Sequence, residues 1–173
     1  MPEIVLETLV EDARWADTIP EVEKVAEQVK SAAFGYLQET EKPKFLIGDK
    51  PLKVNLCLSS DDTVHRLNRE FRGQDKPTNV LSFANLDFAN FSADNEPFDE
   101  IELGDIIVAY ETMERESREQ QVTFYAHFCH LLVHGFLHIS GYDHIKTDEA
   151  AYMENLEKEI LQLLDIANPY EGE

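Results

Sequence analysis

The stretch of sequence that most constrains the fold is His134-Gly135-Phe136-Leu137-His138-Ile139-Ser140-Gly141-Tyr142-Asp143-His144. His134 and His138 lie within an apolar segment that is typical of a helix, so both imidazoles are expected on one helix face, about 6 Å apart. Gly141 can end that helix and turn the chain, because glycine adopts a left-handed conformation without steric penalty. Such a turn can bring His144 back toward the first two histidines.

Three neutral imidazoles suit zinc, and three protein ligands leave a fourth coordination position for water or substrate, as in catalytic zinc sites. A lone pair of histidines at this spacing would more often make ordinary hydrogen bonds. The third histidine, placed directly after a glycine turn, favours a metal site instead. We therefore predict that His134, His138 and His144 bind one zinc ion per chain.

The same histidine spacing occurs in the metzincin proteases, which makes a protease the obvious competing interpretation. Those enzymes need a glutamate directly after the first histidine as general base, and this chain has Gly135 there. A glycine can neither accept a proton from water nor pass one to a leaving amine. The sequence thus keeps the spacing of a hydrolytic zinc site without the base of the peptidases.

The histidine stretch closely resembles the metal-binding signature of the YbeY family of endoribonucleases, the ribosomal RNA maturation factors. Two further stretches match that family in the expected order: Leu67-Asn68-Arg69-Glu70-Phe71-Arg72-Gly73-Gln74-Asp75-Lys76-Pro77-Thr78-Asn79-Val80-Leu81-Ser82-Phe83 and Leu103-Gly104-Asp105-Ile106-Ile107. Together these matches cover most of residues 45–145. Three ordered matches are much more specific than a single histidine motif.

This resemblance implies a zinc-dependent endoribonuclease that cuts single-stranded RNA in ribosomal RNA processing and ribosome quality control. The implied partners are single-stranded RNA, in particular ribosomal RNA, and the small ribosomal subunit with its assembly factors. Two other functions stay open on the residues alone. One is a different zinc-dependent hydrolase, such as a metzincin-like peptidase without the glutamate base, and the other is a non-catalytic ribosome-assembly factor whose zinc is structural.

Arg72 is the candidate catalytic residue, and it matches the functionally important arginine that precedes a glycine in the family. A guanidinium can hold two phosphate oxygens and never loses its charge. Lys76 and Asn79 are predicted to join Arg72 in binding phosphate or sugar. Arg72 could instead form a surface ion pair with Asp75 or Glu70, and Asn79 could serve hydrogen bonding at the start of a strand.

Other polar residues are each compatible with more than one role. Asp105 is either a carboxylate that orients a histidine or a turn residue. His130 is predicted to lie behind the ligands or in the core, and His127 and His65 to be structural or exposed. No residue is a convincing general base.

The formal net charge of −20 opposes general nucleic-acid binding, since phosphates are contacted by Lys and Arg. Four cations nevertheless fall within a short stretch and could form a local basic surface: Arg66, Arg69, Arg72 and Lys76. The first residues do not resemble a signal peptide, and no apolar run approaches the length of about 20 residues that a membrane span requires. We therefore expect a cytoplasmic protein that does not bind membranes.

Length and composition fit one domain over residues 1–173, with 43% hydrophobic residues and ten Phe to build a core. Cys57 and Cys129 lie in apolar runs and are expected to be buried free thiols. The patterns predict strands over 4–10, 52–58, 78–83 and 101–110, and helices over 20–37, 63–71, 111–119, 122–140 and 148–166. Residues 85–100 are predicted to form a surface loop.

Interspersed helices and strands indicate an α/β domain with layered α+β character. The resemblance implies a small sheet of three to four strands packed with helices, with the metal-bearing helix near the centre.

Overall fold

Four strands and six helices are formed by the residues that the structure, a computed structural model, describes, namely 1–88, 91–92, 99–143 and 145–170. The strands are β1 (Ile4–Val10), β2 (Leu52–Ser59), β3 (Val80–Ala84) and β4 (Ile101–Ala109). The helices are α1 (Arg14–Thr18), α2 (Val22–Thr40), α3 (Asp61–Arg72), α4 (Tyr110–Glu119), α5 (Phe124–Ile139) and α6 (Thr147–Leu163), with a 3-10 turn at Lys44–Leu46.

The strands form one mixed sheet in the order β1-β2-β4-β3. β1 pairs with β2 and β2 with β4 in parallel, whereas β3 pairs with β4 in the antiparallel direction. Parallel neighbours need a crossover, and α2 supplies the one between β1 and β2. The predicted α/β class and the small sheet are confirmed, while the strand order was not predicted.

Helix α5 occupies the middle of the domain, where it packs against α2, α4, α6, β3 and β4. Its lack of a polar face predicted burial on most sides. Ten of its residues are indeed buried: His127, Phe128, Cys129, Leu131, Leu132, Val133, Gly135, Phe136, Leu137 and Ile139. The prediction of a central helix that carries the histidines is therefore confirmed.

Helix α5 ends in the turn that we predicted from Gly141. Gly141 has a φ of 100°, in the left-handed region. The backbone N–H of Gly141 bonds the carbonyl of His138 at 3.1 Å, and that of Tyr142 bonds the carbonyl of Leu137 at 3.1 Å. These two bonds are those of a Schellman motif, which ends a helix and reverses the chain.

Some local features differ from the sequence-based prediction. Helix α1 was not predicted, because a five-residue helix is too short to show a periodic pattern; it places the fully buried Trp15 so that its Nε1 donates to the carbonyl of Ser59 at 2.9 Å. Helix α4 is densely charged, which is typical of an exposed helix, yet it buries Met113 completely. The predicted loop at 85–100 lies only partly within the described residues.

No single helix in the described part of the chain is both long and apolar enough to cross a membrane. Helices α4 and α5 meet the length and composition criteria only when taken together, and a bend of 116° separates them.

Two glycines at the contact of α5 with the sheet differ in the room they leave for a side chain. A Cβ at Gly104 would lie 2.7 Å from the Phe83 carbonyl oxygen and 2.7 Å from a methyl of Ile139, whereas a Cβ at Gly135 would lie 3.1 Å from side-chain atoms of Ile106. We expect Gly104→Ala to lower the free energy of unfolding by about 1–3 kcal/mol, because a backbone atom cannot yield.

Gly135→Ala is the matched control for Gly104→Ala, and chemical denaturation measures both. The flexible Ile106 side chain can adjust and alanine favours the helix, so this control should change stability by less than about 1 kcal/mol. Equal stability of the two variants would contradict the proposed packing at Gly104.

Candidate active site

Four histidines follow one another along α5 at intervals that keep them on one side of the helix: His127, His130, His134 and His138. The rings of His134 and His138 are in contact, with centroids 4.5 Å apart and planes at 78°. The structure thus brings together the two histidines that the sequence paired. The third predicted ligand, His144, lies outside the described residues.

A buried carboxylate of α6 stands directly behind His134. Glu157 has only 1% of its surface exposed, and its Oε1 lies 2.7 Å from Nδ1 of His134. Because a carboxylate accepts hydrogen bonds, Nδ1 of His134 is the protonated nitrogen. Nε2 is then the nitrogen through which His134 would bind a metal ion, in the arrangement that metal-binding histidines usually adopt.

Two more donors surround the same carboxylate. The hydroxyl of Tyr170 donates to Oε2 of Glu157 at 2.5 Å, and Nε2 of His130 lies 3.2 Å from the Tyr170 hydroxyl and 3.5 Å from Oε1 of Glu157. Burial alone would raise the pKa of Glu157, but the hydrogen bonds from His130, His134 and Tyr170 outweigh it and lower the pKa to about 2. Glu157 is therefore ionised at neutral pH, and His130 stands behind the candidate ligands, as predicted.

The described residues alone contain no group of three His, Cys, Asp or Glu side chains that could hold a metal ion. The donors present nevertheless fit zinc, since two imidazoles lie one turn apart and one is oriented by a buried carboxylate. The cysteines do not contribute to such a site. Both are free, and burial raises the pKa of Cys57 and of Cys129 to about 12, so neither is a thiolate at neutral pH.

The residue between the candidate ligands explains why a peptidase base is missing here. Gly135 faces the sheet, where a Cβ would already lie 3.1 Å from Ile106. A glutamate at this position would have to enter the contact between α5 and β4. Any side chain at residue 135 would therefore require Ile106 to move.

Arg72 lies at the edge of the sheet, and among the described residues it forms no ion pair with Asp75 or Glu70. Its Nη2 donates to the carbonyl of Ser82 at 2.5 Å, and its guanidinium carbon lies 4.8 Å from the centre of the Phe83 ring. Asp75, one of the alternative partners, is engaged by His65 at 2.7 Å and lies 3.9 Å from Arg69. Since Ser82 and Phe83 belong to β3, which packs against α5, Arg72 is attached to the strand beside the helix that contains His134 and His138.

Lys76 shares a shallow cavity of about 410 Å³ with Arg72, Asn68, Gln74 and Thr78. The cavity forms where α3 gives way to the polar loop before β3. The structure therefore brings two of the three residues predicted to bind RNA to one surface. His134 and His138 lie on a different element, α5. The strand β3 connects the two places, because it follows the loop and packs against α5.

Asn79, the third predicted RNA contact, makes hydrogen bonds that stabilise the beginning of β3. Its Oδ1 accepts from the backbone N–H of Val80 at 2.7 Å, and its Nδ2 donates to Oε1 of Glu116 at 3.0 Å. Glu116 also contacts Nε2 of His127 at 2.9 Å, which gives that histidine a structural role. A contact between Asn79 and RNA stays a prediction.

Asp105 accepts a hydrogen bond from Asn55 at 2.9 Å. It alternates along β4 with Gly104 and Ile106, which face α5, so its side chain is on the opposite face of the sheet. The expectation that Asp105 orients a histidine receives no support from this position.

Glu157 and Tyr170 were missed by the sequence analysis. A signal for Glu157 did exist, because it stands on the apolar stripe of α6 between Leu156 and Ile160, where a carboxylate is costly unless it is paired. For Tyr170 no local pattern pointed to the site, since the residue follows the last helix in an irregular segment.

The chain is similar to known proteins over most of its length. Residues 11–165 match the family model described as Endoribonuclease YbeY. The Endoribonuclease YbeY of Rhizobium etli is 42% identical over 176 residues, covering 100% of this chain and 96% of the relative. That of Sinorhizobium fredii is 41% identical and covers 98% of this chain and 94% of the relative.

A solved structure is similar as well. The solution structure of TM1509 from Thermotoga maritima is 26% identical, has a TM-score of 0.52, and the match covers 94% of this chain and 91% of that one. Because the family model spans most of the chain and the relatives are about 40% identical over nearly their full length, we conclude that the chain belongs to the Endoribonuclease YbeY family.

Proposed function

We propose that this protein is a zinc-dependent endoribonuclease that cuts single-stranded RNA in the cytoplasm, in ribosomal RNA processing and ribosome quality control. The observation that carries the proposal is the contact of His134 and His138 on one face of α5, with the buried Glu157 behind His134. Membership of the Endoribonuclease YbeY family supports the reaction class. The ribosomal RNA substrate, and the small ribosomal subunit with its assembly factors as partners, rest on the resemblance.

In this proposal one zinc ion is held by His134, His138 and His144. When bound, zinc supplies Lewis-acid polarisation of a phosphate oxygen and activation of water. The protein's own part begins with Glu157, which keeps Nδ1 of His134 protonated and so assigns Nε2 to the metal. Zinc binds an imidazole through an unprotonated ring nitrogen, and the hydrogen bond to Glu157 directs Nε2 of His134 to that task with a fixed ring orientation.

Arg72 is proposed to hold the phosphate that is cut. A guanidinium carries five N–H donors in a planar fork, and the Ser82 carbonyl engages its Nη2. The position of the Arg72 guanidinium over the Phe83 ring restricts its orientation. This restriction reduces the conformational entropy that is lost when two phosphate oxygens bind. Lys76 and Asn79, which lie in the loop between α3 and β3, are proposed to bind neighbouring phosphate or sugar groups.

The charge distribution favours a short RNA segment bound at one place over binding along the whole surface. The net charge of −20 repels polyanions, whereas the loop cavity next to α3 contains both Arg72 and Lys76. Gly135 argues against the peptidase alternative, because a glycine cannot serve as the general base that those enzymes need directly after the first histidine.

The proposed activity is tested with a labelled single-stranded RNA and a duplex of the same sequence. We expect cleavage of the single strand only, because phosphate and splayed bases of an unpaired strand can reach the cavity beside β3. Treatment with a chelator should abolish cleavage and added zinc should restore it. A zinc-loaded, folded protein that leaves free RNA intact but binds it would favour the non-catalytic assembly factor.

His138→Ala should remove bound zinc and with it all measurable cleavage, since two imidazoles hold zinc far more weakly than three. Metal analysis of the purified protein measures the zinc content. His65→Ala is the matched control, because His65 lies on α3 and contacts Asp75. Full zinc occupancy in His138→Ala would contradict the assignment of the ligand.

Arg72→Ala should keep the zinc content and the fold, but lower kcat for RNA cleavage about a hundredfold, as expected when a donor to the reacting charge is lost. Arg69→Ala is the control on the same helix; Arg69 lies 3.9 Å from Asp75, and its loss should change kcat less than about threefold. Equal activities of these two variants would exclude Arg72 from the mechanism.

A further inference from the structure

We propose that Tyr170 is a positioning residue for the metal centre, since its hydroxyl anchors the Glu157 carboxylate in the orientation that aligns His134 with a metal ion. The inference rests on the proposed function, in which His134 is a ligand. It assigns a role to the described part of the segment after α6, residues 164–170.

The two oxygens of Glu157 have separate partners. Oε2 receives the hydroxyl proton of Tyr170 at 2.5 Å, and Oε1 receives the Nδ1 proton of His134 at 2.7 Å. The hydroxyl of Tyr170 has one proton and donates it to the carboxylate, so it accepts from Nε2 of His130 at 3.2 Å. Donation therefore runs from His130 to Tyr170 to Glu157, and from His134 to Glu157.

His130 makes the anchor necessary. Its Nε2 lies 3.5 Å from Oε1 of Glu157, close enough to compete with His134 for the same oxygen if the carboxylate rotates. Tyr170 opposes that rotation from both sides, because it binds Oε2 and also occupies the Nε2 donor of His130. Without the Tyr170 hydroxyl, Oε2 of Glu157 would be a buried acceptor that has lost its closest donor. Rotation of the Glu157 carboxylate toward His130 would then compensate for the lost hydrogen bond.

The segment that carries Tyr170 is itself held in place. The backbone N–H of Ile166 bonds the carbonyl of Leu161 at 3.0 Å, and the backbone N–H of Tyr170 bonds Oδ1 of Asn168 at 2.9 Å. The Tyr170 ring also packs edge-on against His130, with centroids 5.5 Å apart and planes at 89°. A residue fixed by its backbone, its ring and its hydroxyl can hold a carboxylate in one orientation.

The experiment measures zinc affinity by competition with a chromophoric chelator, and the visible absorption of the cobalt-loaded protein. Glu157→Gln should lower zinc affinity about 10- to 100-fold, the usual cost of changing a partner behind a metal ligand. Tyr170→Phe should lower it about three- to tenfold and shift the cobalt spectrum, because the orientation of His134 changes. Tyr125→Phe, which removes the hydroxyl of an exposed tyrosine on the same helix as the histidines, should change neither.

The double variant tests whether Tyr170 acts through Glu157. If it does, adding Tyr170→Phe to Glu157→Gln should cause little further loss of zinc affinity, since coupled residues are not additive. Fully additive losses would overturn the route through Glu157. An unchanged zinc affinity and an unchanged cobalt spectrum in Tyr170→Phe would overturn the proposal, even if thermal unfolding of the metal-free protein showed a loss of stability.

Failure of the proposed function gives a different result. If the unmodified protein binds zinc but cleaves no RNA, the endoribonuclease proposal fails, while the zinc affinities of the variants still decide the role of Tyr170. If the unmodified protein binds no zinc, both proposals are overturned.

Discussion

An ionised carboxylate in the interior is the constraint on which the candidate site depends. Glu157 has almost no contact with solvent, so its charge is tolerable only while donors surround it. Those donors come from α5 and from the segment after α6, which means that three parts of the chain must meet at one point. Apolar contacts alone would let α6 slide along α5, whereas the carboxylate permits one relative position of the two helices.

A second carboxylate performs a related task near the start of α5. Glu116 of α4 holds His127 and the side chain of Asn79 at once, and its pKa is lowered because these hydrogen bonds outweigh the effect of burial. Asn79 directly precedes β3, the strand whose Ser82 carbonyl accepts the hydrogen bond from Arg72. The histidine helix and the loop with the candidate RNA contacts are therefore joined through α4 as well as through the sheet.

Features determined by local spacing could be predicted from the sequence. The shared face of His134 and His138 follows from helical periodicity, and the turn at Gly141 follows from the conformational range of glycine. Features that depend on packing between distant elements could not be predicted. The strand order, the position of Arg72 on the carbonyl of Ser82, and the meeting of Tyr170 with Glu157 all depend on how elements pack in three dimensions, which no window of sequence reports.

The order of the site residues along the chain also sets the order in which they are synthesised. His134 and His138 leave the ribosome before Glu157, and Glu157 before Tyr170. Until α6 has packed on α5, His134 lacks the carboxylate that selects its tautomer, and a nascent chain at that stage presents histidines without a fixed orientation. The hydrogen-bonded arrangement around His134 is thus completed only after translation has passed both α5 and α6, so the candidate site is assembled late in the synthesis of the chain.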